Sequence, residues 1–379
     1  MSFELLRSEI IDEGFCQGCG LCVGSCKHIE MDDLRPTLKD YCILEREGED
    51  CGRCYQNCPQ VIQKKFEYKQ PLAVYSLRSK NPKILAKASS GGFVTTLTKE
   101  LLESQTLSEI VMVQGTEEET VADRVSDPDA VIERAGVIYS RSGVLERLVE
   151  LIGETFDPIG IVGVPCEMRG AANLEESMNR EILKIGLFCS SQIHPTKRCG
   201  CTLLGEPLAL SILKELATES EAEKEENDLP DGKRCDTCKA FCKHCQDFPA
   251  IYSDITAGQV GSDTGYTTVV AWTEQGKEYV ESAIQKGLFD IGKVNEEELE
   301  TAINLKSTRE LINFEKAPRQ QVLDFITDKG PCTITEIAKQ TGLEPKKARY
   351  EALRLVQLME LEMKMDPTMD EPIFSIVCD

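Results

Sequence analysis

Four cysteines fall within eleven residues in CQGCGLCVGSC, residues 16–26, with the spacing C-x2-C-x2-C-x3-C. No other feature constrains the fold as much. A turn this tight gathers three thiols on one side, and the chain around it must be organised by what they hold. The whole chain carries 18 cysteines in 379 residues. That length allows two or three domains and a sizeable core. There is no secretory apolar region at the N-terminus and no apolar run of about 18 residues to span a bilayer, so a soluble cytoplasmic protein with no membrane span is expected. Thiols stay reduced in that compartment, and these spacings are those of metal sites rather than of a disulfide framework.

A C-x2-C-x2-C turn wraps one face of an iron–sulfur cubane and cannot enclose it. In bacterial-type ferredoxins the fourth cysteine of such a run ligates the other cluster. The second run, CILEREGEDCGRCYQNCPQ, supplies Cys42, Cys51, Cys54 and Cys58, followed by Pro59. Cross-ligation then groups Cys16, Cys19 and Cys22 with Cys58, and Cys26 with Cys42, Cys51 and Cys54, making two [4Fe–4S] clusters. Lys27 stands where the ferredoxin pattern has proline. Structural zinc is the alternative, but zinc sites use two separated C-x2-C pairs.

Eight more cysteines lie mid-chain, and RCDTCKAFCKHCQDF carries four of them. One reading places Cys235, Cys238, Cys242 and Cys245 on a single cluster or zinc. The preferred reading splits them. Cys166 in GVPCE and Cys189 in GLFCS each end an expected strand, and the carboxyl ends of neighbouring strands converge on the ligand crevice of an open α/β sheet. Cys166, Cys189, Cys242 and Cys245 then form one centre, and Cys199, Cys201, Cys235 and Cys238 another, for about four clusters in all. Cys332 and Cys378 read as buried thiols. His244, between Cys242 and Cys245, is either a tuner of cluster potential or simply exposed.

From about residue 72 the pattern becomes α/β. EIVMVQG (109–115), PIGIVGVP (158–165) and ILKIGLFC (182–189) read as buried strands. GFVTTLTKELLES (92–104) and GVLERLVELIG (143–153) read as amphipathic helices. The segment 215–233 is charged and solvated. Residues 317–379 read as a winged-helix-like module: a helix with the Gly342 turn, a second helix opening at Pro345, and a β-like tail. Its Lys346, Lys347 and Arg349 would suit DNA, but the chain's net charge of −22 favours protein docking and no nucleic-acid partner.

SSGG, Ser89 to Gly92, opens a helix, and taken alone such a loop is either an ordinary helix cap or a phosphate site at a helix N-terminus. In one order with it stand SGGFVTTL, YSRSGVLERL, GVPCEMRGAANL, IGLFC, CKHCQDFPAIYSDITAGQVGS and GYTTVVAWTEQGKEYV. Together these resemble the family of coenzyme F420 hydrogenase/dehydrogenase beta subunits over roughly residues 10–290. The resemblance implies non-covalent FAD with a [4Fe–4S] cluster beside it, and coenzyme F420 as substrate. By matching motifs, Ser89, Ser90, Gly91, Gly92 and Thr95 would hold FAD phosphate or ribityl groups, and Tyr139, Ser140, Ser142, Gly163, Val164 and Pro165 would line the same crevice. Lys80, Lys83, Lys87 and Arg141 are either a basic surface that receives the acidic F420 tail or a solvated face. No side chain is assigned as acid or base, because hydride transfer needs positioning.

The resulting expectation is an α/β (α+β) flavoprotein core over 71–316, a ferredoxin-like two-cluster domain over 1–70, and the winged-helix-like module over 317–379. The activity implied is an F420-dependent oxidoreductase subunit. It exchanges hydride with F420 through FAD, and single electrons with partner subunits of a hydrogenase, formate dehydrogenase, heterodisulfide reductase or sulfite reductase type. Rival readings are a flavin-free polyferredoxin and a redox-sensing winged-helix regulator. An NAD(P)H-linked flavoprotein is a third, weakened by the lack of a GxGxxG fingerprint after a strand.

Overall fold

The computed structural model describes residues 3–32, 34–43, 51–61, 69–116, 119–138, 140–189, 242, 245–308, 318–357, 361–364 and 372–377. Tyr139, His244, Cys199, Cys201, Cys235, Cys238, Cys378 and the segment 215–233 lie outside them. The chain divides into two compact units, Met1–Leu311 and Ile312–Asp379. The first holds both the cysteine-rich start of the chain and the large sheet.

That start contains the one-turn helix Leu21–Gly24, a hairpin of β1 (Ile29–Asp32) and β2 (Arg35–Leu38), and the turn Arg53–Gln56. The sheet strands are β3 (Ala73–Ser79), β4 (Glu109–Gly115), β5 (Thr120–Val125), β6 (Ile159–Gly163), β7 (Ile182–Leu187), β8 (Ile255–Gly258), β9 (Thr267–Ala271) and β10 (Phe289–Ile291). Their spatial order is β10-β3-β9-β8-β7-β6-β4-β5. The strands β4, β6, β7 and β8 are parallel, and the remaining pairings are antiparallel.

The central strands are short apolar runs because both faces are covered. Every residue of β6 and of β9 is buried. Lys184 within β7 is tolerated because it is paired with Glu175 at 2.7 Å and Asp254 at 3.2 Å. Helices α1 (Phe93–Glu103), α2 (Val144–Glu154), α3 (Pro165–Met178), α4 (Glu274–Gln285) and α5 (Glu296–Ser307) belong to this unit. Helix α3 starts on Pro165, which suits the first helical position, and the Glu167 carboxylate accepts from the Val164 amide at 2.9 Å.

The cysteine turn packs directly on α2. Leu21 shares a buried cluster with Val144, Leu145 and Leu148, and the Leu145 amide donates to the Cys19 carbonyl at 3.0 Å. A Cβ on Gly20 would stand 2.7 Å from that of Glu146, and one on Gly24 2.8 Å from that of Val149. Glycine is therefore what allows the turn to approach the helix so closely.

The second unit carries α6 (Pro318–Lys329), β11 (Cys332–Thr333), α7 (Ile334–Thr341), α8 (Pro345–Gln357), β12 (Leu361–Lys364) and β13 (Ile373–Ile376). Its three antiparallel strands order β11-β13-β12. Val322, Ile326, Ile337, Ala348, Leu355 and Phe374 form the core, with Cys332 buried among them. Thr333 and Glu336 cap α7 reciprocally, and Gly342 ends it in the left-handed conformation. Among the described residues of the chain, no helix is long and apolar enough to cross a membrane.

The α7 cap predicts an acid-sensitive contribution. Hydrogen bonds from Lys329 and then Thr333 hold the Glu336 carboxyl below its ordinary range. A depressed carboxyl pKa contributes stability above the unfolded value, and that contribution is lost as pH falls through the folded one. Thr333→Ala should cost this unit about 1 kcal/mol in urea unfolding near neutral pH. Glu336→Gln should flatten the decline in its unfolding midpoint below pH 4.5.

Candidate functional site

The parallel strands and β3 all end at one edge of the sheet, where β9 and β10 begin. The loops that follow meet there, as in other open α/β sheets. After β3 the chain reaches residues 89–92. Gly91 lies so close to the sheet that a Cβ would strike the Leu77 carbonyl and the Thr267 amide. Gly92 adopts a φ of 72° as it opens α1. These two glycines are thus required by the protein's own backbone. Ser90 Oγ meets Thr267 Oγ1 at 2.9 Å, Gln259 Nε2 donates to the Ser89 carbonyl at 2.6 Å, and the Val137 amide donates to Ser89 Oγ at 3.0 Å. The loop is therefore pinned on three sides. Thr95, Ser140, Ser142, Val164 and Pro165 are buried, and Ser142 Oγ has no hydrogen-bond partner among the described residues.

The four cations expected as one basic surface are placed differently. Lys80 is exposed and lies 3.7 Å from Asp290, and exposed Lys87 is 2.6 Å from Glu133. Lys83 is exposed on its one-turn helix. Arg141 is only 3% exposed, and its charge acts on the half-buried Cys16 thiol. It belongs to the interior, beside the cysteines.

The cysteines themselves fall into groups. Cys16, Cys19, Cys22 and Cys58 line one cavity, closed by Leu6, Ile10, Leu21 and Pro59 among others. Burial pushes the Cys58 thiol up to about 12 and lifts Cys19 and Cys22 strongly; Cys58 and Cys16 add to the shift at Cys19, and Cys16, Cys19 and Cys58 to that at Cys22. Burial likewise raises Cys54 to about 12, helped by Cys42, Cys26 and Cys51. At the strand ends, Val164, Cys166 and Cys189 pack together. Cys189 is raised to about 12, by burial first, and Lys306 opposes the shift while Cys242 and Cys245 add to it. Cys166 rises well above 9.0 through burial, Glu167 and the same three cysteines. Among the described residues, no three His, Cys, Asp or Glu side chains are close enough to hold a single metal ion.

Three residues here escape sequence reading. Lys306, 2% exposed, donates from Nζ to the carbonyls of Cys189 at 2.6 Å and Asp247 at 2.9 Å. Its signal is present in the chain: with Leu299, Ala302 and Ile303 it completes the buried stripe of α5 at helical spacing. Asp247, two residues past Cys245, is buried, and its Oδ1 accepts from the Ile251 amide at 3.2 Å. Arg169 donates from Nη1 to the Pro59 carbonyl at 3.1 Å, joining α3 to the cysteine-rich start of the chain.

Fold and site together define a mixed α/β protein with cysteines gathered at its strand ends and in a turn docked beside them. Models of the coenzyme F420 hydrogenase/dehydrogenase beta subunit match the chain twice, the N-terminal one over residues 74–148 and the C-terminal one over 156–297. The chain belongs to this family. It is 29% identical over 334 residues to coenzyme F420-dependent sulfite reductase of Methanocaldococcus jannaschii, covering 81% of this chain but 51% of that protein, so it spans about half the relative's length. It is 26% identical over 240 residues to the beta subunit of coenzyme F420 hydrogenase from Methanococcus voltae, across 58% of this chain and 84% of that one. A chain of the F420-reducing [NiFe] hydrogenase complex from Methanosarcina barkeri shares the fold, with a TM-score of 0.50 and 21% identity over 71% of this chain and 98% of that chain.

Lys306→Met would leave two buried carbonyls without their charged donor, and should cost about 1.5–3 kcal/mol. Urea unfolding of the protein should show the loss, and Lys306→Arg should recover only part of it.

Proposed function

We propose that this chain is an F420-linked oxidoreductase subunit that exchanges hydride between coenzyme F420 and a bound FAD, and passes single electrons through cysteine-held [4Fe–4S] clusters to a partner redox subunit. The observation that carries the reading is the pair of buried cysteines, Cys166 and Cys189, at the ends of adjacent parallel strands, beside the loops that converge on the 89–92 segment. FAD, when bound, links two-electron hydride chemistry to one-electron clusters. F420 enters from the family and from the names of its relatives.

The donor sets fit these groups. A single tetrahedral zinc would draw its thiolates to within about 3.8 Å of one another, given Zn–S distances near 2.3 Å. Cys16, Cys19, Cys22 and Cys58 instead surround a cavity, which supports a cubane. The neighbours of Cys54 support Cys26, Cys42 and Cys51 as the partners in a second. The mutual influence of Cys166, Cys189, Cys242 and Cys245 supports the split of the mid-chain cysteines over a single four-cysteine loop. By difference, Cys199, Cys201, Cys235 and Cys238 hold the fourth cluster. Ser142 Oγ, buried without a partner among the described residues, supports a polar ligand in the crevice, where Ser89, Ser90 and Thr95 bind and orient FAD. The F420 tail is assigned to Lys80, Lys83 and Lys87. Arg141 lies inside and serves the cluster at Cys16.

The protein purified without oxygen should carry about sixteen iron atoms, as four cubanes, with one FAD released on denaturation. Cys166→Ser should retain flavin reduction by reduced F420 while electron delivery to an artificial one-electron acceptor falls. Full delivery with unchanged iron content would contradict the strand-end assignment.

The second unit is assigned to docking of the partner, as a winged-helix-like module. The family match ends at residue 297, and in α8 the exposed Lys346 and Arg349 stand among Glu344 and Glu351, with Lys347 paired to Glu351 at 3.1 Å. A chain ending at Leu311 should keep its cofactors and its oxidation of reduced F420, but lose co-purification with the partner subunit. Salt-sensitive binding of a DNA duplex by the intact protein, lost in the shortened chain, would instead mark a nucleic-acid reader.

A further inference from the structure

Arg169 lies on α3, three residues beyond Cys166, and is 5% exposed. A buried guanidinium needs partners. It has the Pro59 carbonyl at 3.1 Å and the Tyr252 ring, whose centre is 5.7 Å away. Its Nε has no hydrogen-bond partner among the described residues. Pro59 and the preceding Cys58 line the cavity shared with Cys16, Cys19 and Cys22. Asp247, two residues past Cys245, is buried as well. The Asp247 carboxyl is raised by burial and lowered chiefly by Arg169 and then Lys306, and the Cys58 thiol, also raised by burial, is lowered in part by Arg169. One fixed cation thus stands a helical turn beyond Cys166 and is bonded to the carbonyl of the residue that follows Cys58.

We propose that Arg169 is the positioning residue that couples the strand-end cysteine centre to the N-terminal one, by holding the Pro59 carbonyl against α3 and by favouring reduction of the centre held by Cys16, Cys19, Cys22 and Cys58. The inference rests on the cluster assignment proposed above. From Cys166 the connection runs through one helical turn, the Arg169 side chain, a single hydrogen bond, and the Pro59 carbonyl to Cys58. The centre that Cys166, Cys189, Cys242 and Cys245 would hold would supply one electron to the centre that Cys16, Cys19, Cys22 and Cys58 would hold, with no bond or proton changing hands. Reduced F420 is the ultimate donor and the partner subunit the acceptor. A buried positive charge stabilises the more negative, reduced form of a nearby centre, because little water screens it. Arginine keeps its proton at every working pH, so the bias is permanent. Arg141, acting on Cys16 from another loop, adds to the same field.

Arg169→Met removes the charge while keeping a long buried side chain, and Arg169→Lys keeps the charge while losing the fork. Both are compared with the parent as full-length, anaerobically purified protein, by redox titration followed through the electron paramagnetic resonance of each centre. In Arg169→Met one signal should need a lower potential for reduction, corresponding to a tenfold drop in its reduced fraction at fixed poise, or about 59 mV for one electron, with the other signals unmoved. Arg169→Lys should restore most of that shift. After rapid mixing with reduced F420, electron arrival at that centre should slow about tenfold in Arg169→Met. Unmoved potentials in Arg169→Met would overturn the proposal, as would loss of that centre's iron in both variants, which marks a structural peg only. Parent protein lacking iron altogether would overturn the cluster assignment itself.

Discussion

Parallel pairing of β6 with β7 is the constraint on which the site depends. Gly163 stands opposite Gly186, and each strand reaches a cysteine three residues later, Cys166 in one case and Cys189 in the other. The pairing register therefore sets where the two thiols meet, and a slip of one residue would turn side chains to the opposite face. The remaining elements reinforce that meeting. Pro165 and Glu167 start α3 at once, so Cys166 sits in a first helical turn, and the Cys189 amide is held by the Phe248 carbonyl at 3.1 Å.

A second theme is where the protein puts positive charge. The chain as a whole is strongly acidic, yet the interior of the first unit holds Arg141, Arg169, Lys184 and Lys306. Lys184 answers carboxylates, in the ordinary way of buried ion pairs. The other three act on cysteines. Thiols this deeply buried resist ionisation, and thiolate is the form that binds metal. Interior cations ease that ionisation.

Much of this is legible in the chain. The apolar runs at 109–115, 158–165 and 182–189 and the helical periodicity at 92–104 and 143–153 correspond to β4, β6, β7, α1 and α2, because strands covered on both faces leave long unbroken apolar signals. The strands β8 and β9, four and five residues long with Thr and Ala among them, lack the longer apolar flanks that make β6 and β7 stand out. Arg169 and Arg141 are opaque for a different reason, and for Lys306 the helical spacing marks its burial but not its carbonyl partners. A lone basic residue in a helix or loop reads as solvated, and only tertiary packing reveals that its neighbours are carbonyls and thiols. The glycines of the 89–92 loop read as room for a ligand, whereas Gly91 and Gly92 answer first to the chain's own backbone.

The topology between β7 and β8 has an evolutionary consequence. These strands are parallel neighbours in the sheet, and the chain between them leaves at Cys189 and returns through Cys242, two residues that influence each other's charge. Its two ends are fastened at the same place. Between two such fixed points the length of chain can change without disturbing the register of the strands, since closure entropy grows by only about 0.6 kcal/mol for each doubling of length. The sheet is in effect a socket: what stands between these two strands can change in the course of descent while the crevice at the strand ends stays as it was.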